Sequence, residues 1–284
     1  MERKIEFSVG EFYHIYNRGV DKRKVFLHTV DYQRFLLLLY LANTTDSVHF
    51  GNLRKQYRGE PSFQMFNHSR SNTLVAIGAY CLMPNHFHLL LKETTEGGIS
   101  KFMLKLQTAY SMYFNVKNER SGALVQGMFK SEHVDDDDYL KYLYSYIHLN
   151  PAKLIDSNWK KKILSEEAIS DLHDYAKNYP YSSYKLFLSR ISLPASSILE
   201  RREFPEYFVS PVEFEEEILD WLSWNEGSPR SGTGVWYNNK MITPFDSLLI
   251  FILGLVFGSF LNVVIYRYNT GKSIGGRSQC LACG

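Results

Sequence analysis

Three cysteines in 284 residues are too few for a disulfide framework. One of them, Cys81, falls inside an apolar run, and the set fits a reducing compartment. Charge of one sign is scarce as well. Lys and Arg number 32 against 30 Asp and Glu, a net charge of +2, so composition does not announce a nucleic-acid binder. Residues 1–10 show no charged-then-apolar leader, and no secretory signal is expected. What the chain has in quantity is apolar and aromatic material: 45% hydrophobic residues, 20 Tyr and 19 Phe. That is enough to bury a core. Aromatics also stack on the bases of single-stranded nucleic acid. Basic residues gather at Arg18, Lys22, Arg23 and Lys24, and again at Arg54, Lys55 and Arg58, a pattern that solvated surface explains equally well.

Residues 79–91 read as a buried strand carrying Asn85-His86-Phe87-His88-Leu89. Side chains alternate along a strand, so His86 and His88 share a face. Two imidazoles so placed can hold one divalent metal; the competing reading is a pair of satisfied core histidines. Downstream, residues 139–149 read as a helix. Asp135, Asp136, Asp137 and Asp138 suit its positive N-terminal end, and Pro151 stops it. On this helix Tyr142, Tyr146 and Asn150 recur every four residues on one face. A tyrosine stripe is common core material, but an amide in an apolar interface costs energy unless it is bonded. Two imidazoles, an amide oxygen and a phenol together suit phosphoryl transfer, with a metal polarising phosphate and a tyrosine attacking phosphorus. Tyr142, Tyr144 and Tyr146 all compete for the nucleophile's part. Tyr144 points off the Asn150 face, and Tyr142 lies one turn further away.

The blocks Tyr80-Cys81-Leu82-Met83-Pro84-Asn85-His86-Phe87-His88-Leu89-Leu90-Leu91 and Tyr146-Ile147-His148-Leu149-Asn150-Pro151 resemble the signatures of the REP-associated tyrosine transposases, the single-tyrosine branch of the HUH endonucleases. Tyr13-His14-Ile15-Tyr16-Asn17-Arg18-Gly19, Ser121-Gly122-Ala123-Leu124 with Gln126-Gly127 and Lys130-Ser131, and Tyr181-Ser182-Ser183-Tyr184 resemble further blocks in the expected order. Met128 departs, standing where that family carries a basic residue. The resemblance selects Tyr146 as nucleophile and implies a 5′-phosphotyrosine with a free 3′-OH on single-stranded DNA near hairpin-forming repeats. His86, His88 and Asn150 are then the expected ligands of Mg²⁺ or Mn²⁺, with Mn²⁺ the more natural partner of two imidazoles. Arg18, Lys22, Arg23 and Lys130 are the candidate DNA contacts, and His148 is structural. A cytoplasmic, nucleoid-associated protein is expected, with a homodimer as one open assembly. A hairpin-binding regulator that does not cut and a membrane protein related to prepilin processing remain as alternatives.

Alternation and helical spacing predict strands at 11–17, 73–83, 86–92 and 124–134, and helices at 31–42 and 100–118, the latter capped by Ser100. With the tyrosine helix, this order predicts an α+β fold, a ferredoxin-like antiparallel sheet with helices on one face. Residues 43–72 read as a polar loop or partly ordered insertion able to touch DNA. The transposase-like domain is expected over 1–190, a helical extension over 191–226 with Phe214, Ile218 and Trp221 at helical spacing, and a linker over 227–243. The tail, 244–284, is different material. Residues 247–266 carry no charge, long enough for a C-terminal hydrophobic helix across a bilayer. With Cys280-Leu281-Ala282-Cys283 the tail resembles the opening of a prepilin peptidase, but the stretch that would carry the protease's aspartates is missing. Met241 stands where a separate protein could begin, so the tail reads as a neighbouring frame fused on. Basic residues after the span favour a cytoplasmic C-terminus, which would hold the transposase-like part away from DNA.

Overall fold

Four apolar or alternating segments pair into one antiparallel sheet of order β2-β3-β1-β4. Its strands are β1 Phe12–Arg18, β2 Val75–Met83, β3 His86–Glu93 and β4 Lys130–Val134. The structure is a computed structural model and describes residues 6–60, 62–189 and 193–223. The linker and hydrophobic tail expected from the sequence lie outside the described residues. Pro84 and Asn85 join β2 to β3 as a hairpin, whose register sets Cys81 opposite His88 and Met83 opposite His86. β1 then lies between β3 and β4, with Tyr16 opposite both His88 and Lys130.

The α+β class and the antiparallel sheet are as expected, and the helical cover is more extensive than one face. All nine residues of β2 are buried, and a strand that reads as a continuous apolar run needs cover on both sides. On one side Tyr13, Ile15, Leu82 and Leu89 pack with α1 (Thr29–Leu41) and α3 (Gly98–Lys117). On the other, Ala76, Cys81 and Leu90 pack with α4 (Asp137–His148) and α5 (Glu166–Asn178). α7 (Pro211–Ser223) buries Phe214, Ile218 and Leu222 in that same second core, so the expected helical extension is built into it. Between them α6 spans Tyr184–Leu188.

Capping explains several boundaries. Asp136 caps α4 by accepting the Tyr139 amide at 2.8 Å. For α3 the expected Ser100 cap gives way to Glu93, whose buried carboxylate accepts the amides of Gly98 at 3.2 Å and Ile99 at 3.4 Å. A carboxylate reaching back from the preceding strand meets the positive end of the helix better than a serine inside its first turn. β4 is shorter than expected, because the chain before it turns through Gly127 at a φ of 62°. Within residues 43–72 the chain forms α2 (Phe50–Gln56) and a 3-10 turn at Ser62–Asn67. Among the described residues no helix is long and apolar enough to cross a membrane.

Candidate active site

The face of the sheet turned toward α4 carries the candidate residues. His86 and His88 stand two apart on β3 with ring centroids 5.0 Å from one another. Tyr146, on α4, meets the second histidine edge-on: its ring centroid is 5.6 Å from that of His88 and 5.7 Å from that of His14 on β1. The other two tyrosines are committed elsewhere. Tyr144 is buried among Phe187, Phe204 and Phe208, and Tyr142 lies against Trp221 with centroids 4.2 Å apart. His148 turns away from Tyr146, is fully buried, and its Nε2 shares a 2.7 Å hydrogen bond with the Ser183 hydroxyl.

Each site histidine has one ring nitrogen engaged. Nδ1 of His86 is 2.6 Å from Asn85 Oδ1, and Nδ1 of His88 is 2.9 Å from His14 Nε2. His14 Nδ1 in turn faces Glu132 Oε2 at 3.6 Å, within ion-pair range. In the tautomer in which the His88 Nδ1–H donates, His14 Nε2 accepts it. Both β3 imidazoles are then left with a lone pair on Nε2. Their electrostatics keep them neutral. Burial, then Lys153 and Arg18, push His86 down to about 4. Burial, then the neighbouring His14 and His86, hold His88 well below its ordinary value. The Glu132 carboxyl is held down at about 2, first by His14 and then by the Tyr16 hydroxyl, which donates to Oε1 at 2.9 Å. Burial, with Glu132 adding to it, raises Tyr146 above its ordinary value.

Asn150 is buried just past α4. Its Nδ2 donates to the Tyr146 carbonyl at 2.8 Å, tying off the helix end, and its Oδ1 accepts Lys153 Nζ at 3.0 Å. Among the described residues no group of three or more His, Cys, Asp or Glu is placed to hold a metal ion. The donor set that could take one is therefore the two free Nε2 atoms and the remaining lone pair of Asn150 Oδ1. Two neutral imidazoles with their other nitrogen engaged fit a divalent ion.

The candidate DNA contacts divide. Arg18, exposed at the end of β1, lies opposite His86. Lys22 and Arg23 follow in an exposed turn that the Asn85 amide holds through the Lys22 carbonyl at 3.1 Å. Arg23, exposed, also bonds the Val20 carbonyl and Asp21. Lys130 is exposed on the edge strand, its Nζ 6.0 Å from the Tyr16 ring.

Residues 52–150, which include both histidines, Tyr146 and Asn150, match the family described as "Transposase IS200 like". The chain is similar to IS200-like transposases through its site. A second match, to the bacterial peptidase A24 N-terminal domain, covers residues 252–284 in the tail. Among solved structures one that resembles the chain is described as a REP-associated tyrosine transposase bound to a REP hairpin. It shares 13% identity over 67% of this chain and 86% of that one, with a TM-score of 0.39. No curated protein matches. Outside the IS200-like segment's two histidines, tyrosine and asparagine, the site holds His14, Tyr16 and Glu132, and Lys153 and Lys160 beyond its end. For His14 and Tyr16 the signals were the alternation of β1, which puts them on one face, and the Tyr13–Gly19 block; Glu132, on β4, had none.

Proposed function

We propose that this chain is a metal-dependent transposase and endonuclease acting on single-stranded DNA near hairpins. The observation that carries this is Tyr146 packed against His88 and His14, beside two imidazoles that each have Nδ1 engaged. The IS200-like match over the same residues supports it. Tyr146 Oη attacks the scissile phosphorus, the bond from phosphorus to the 3′ oxygen breaks, and the phenolic proton is passed on as the 3′ oxygen gains one. The products are a 5′-phosphotyrosine and a free 3′-OH, and the same step run backwards rejoins strands. His86, His88 and Asn150 would hold Mg²⁺ or Mn²⁺, which supplies polarisation of a phosphate oxygen. Glu132 and His14 orient His88, and Arg18, Lys22, Arg23 and Lys130 hold the DNA backbone, the part of the interface that positions rather than specifies. Hairpin recognition and dimer formation belong to the same proposal.

The test is incubation of the full chain with a labelled single-stranded hairpin oligonucleotide and Mn²⁺, followed by denaturing electrophoresis. A band of covalently shifted protein supports the reading. Retarded DNA under native conditions with no covalent product would instead favour the regulator that binds without cutting.

A further inference from the structure

Two ammonium groups converge on Tyr146 from the turns that follow α4. Lys153 sits in the 3-10 turn Asn150–Leu154 and Lys160 in the next, Trp159–Lys161. Buried Trp159 anchors the second turn in the core, so its neighbour is carried inward. Lys160 Nζ lies 4.8 Å and Lys153 Nζ 5.1 Å from the centroid of the same Tyr146 ring. Both side chains are half-buried, within reach of a ligand from solvent.

Neither cation has a carboxylate partner among the described residues. Lys153 finds only the neutral Asn150 oxygen, and the contacts of Lys160 are the rings of Tyr142, Tyr146 and Trp159. Several half-buried lysines of this chain do find carboxylates, Lys92 with Glu203, Lys141 with Glu217 and Lys177 with Glu215, while Lys105 bonds the Thr44 and Asp46 carbonyls. Glu132, the carboxylate near Tyr146, is already engaged with Tyr16 and Tyr139. Taking two like charges out of water without a counter-anion costs free energy, which the ring faces offset only in part. Burial, with Lys153 adding to it, brings Lys160 down to about 8. A bound anion would relieve the repulsion between the two.

We infer that Lys153 and Lys160 form a seat for a phosphodiester group, holding a backbone phosphate of single-stranded DNA beside Tyr146. The inference rests on the proposed DNA substrate but not on the cutting step. The seat is built from the two turns that follow α4, whereas Arg18, Lys22 and Arg23 belong to the end of β1 and the turn after it. It supplies the positive charge that the neutral histidines do not.

The test uses the full chain in EDTA, where no cutting is expected, with a short single-stranded hairpin oligonucleotide titrated across a salt series. For K153M/K160M, which keeps the apolar stems, the plot of log affinity against log salt becomes shallower by about one. Affinity at low salt falls about tenfold, while the two lysine-to-arginine variants retain the wild-type slope. Should the double variant not fold, Lys160→Gln and Lys160→Arg are compared: the first flattens the slope and the second does not. Unchanged slope and affinity in a folded double variant would overturn the seat, and so would equal losses in Lys160→Gln and Lys160→Arg. A wild-type chain that shows the lysine-dependent slope yet forms no covalent adduct with Mn²⁺ would keep the seat and end the cutting reaction, so the two claims fail separately.

Discussion

Burial makes neutral imidazoles, and neutral imidazoles are what a divalent ion needs. His86 held at about 4 and His88 held well below its ordinary value carry free lone pairs across the physiological range, so metal uptake should not weaken until well below pH 6. Replacing both by Ala should lower Mn²⁺ affinity by on the order of 100-fold or more, read by calorimetry or by the Mn²⁺ electron paramagnetic resonance signal. DNA affinity in EDTA should stay close to wild type, since phosphate contacts come mostly from basic side chains and amides. Cutting of equal rate in EDTA and in Mn²⁺ would rule out the metal role. Much of this site is legible in the sequence. The period-two pair His86 and His88 and the four-residue spacing of Tyr146 and Asn150 are local patterns, and each puts its members on one face. His14 and Glu132 are not legible that way, because they meet only once β1 is inserted between β3 and β4. Lys153 and Lys160 come from irregular turns, where no periodicity points a side chain anywhere.

The elements hold these residues through a few specific devices. His148, inside α4, is buried and bonded to Ser183, and burial first of all pushes it down to about 3. In the unfolded chain it titrates near 6.5. Between these values the unfolded chain takes up the proton and the folded one does not, so its contribution is whole above about pH 6.5 and is lost as the pH falls toward 3. The loss is on the order of 5 kcal/mol, to be read from thermal midpoints across that window. A flat profile from pH 6.5 to 4 would contradict it. β2 gives a second case. Its register to β3 shifts between Ile77 and Ala79, and at Gly78 an added Cβ would stand 2.7 Å from the Phe204 ring. Gly78→Ala should therefore destabilise by about 1–3 kcal/mol in urea unfolding, with Phe204→Leu recovering part of it. No such bulge could be read from the sequence, where Gly78 sits in an unbroken apolar run. The hairpin at Pro84-Asn85 could be, since two turn residues between two strands leave little choice.

At the scale of the molecule, both faces of the sheet are covered, and every proposed site residue lies between His14 and Lys160. α7 ends the described core at Ser223. The polar 225–243 stretch and the apolar 247–266 stretch come after it, and none of the site residues named above is drawn from them. Truncation after Glu226 should leave strand cutting unchanged and raise solubility, because a long uncharged segment promotes aggregation or membrane insertion. A truncated chain that binds hairpin DNA but no longer cuts it would show that the tail takes part in the active fold. Second-side cover was the feature of the architecture least visible beforehand: α5 and α7 carry apolar residues at helical spacing, but nothing local says which sheet face they seek. The account as a whole stands on one bond, between Tyr146 Oη and a DNA 5′-phosphate. Wild type and Tyr146→Phe are incubated with the single-stranded hairpin oligonucleotide and Mn²⁺, and protease digests are mapped by mass spectrometry. The account predicts a nucleotide-modified peptide containing Tyr146 in wild type, none in the variant, and hairpin binding nearly equal in both. A modified peptide of undiminished yield in Tyr146→Phe, carrying the nucleotide on Tyr142 or Tyr144, would contradict it.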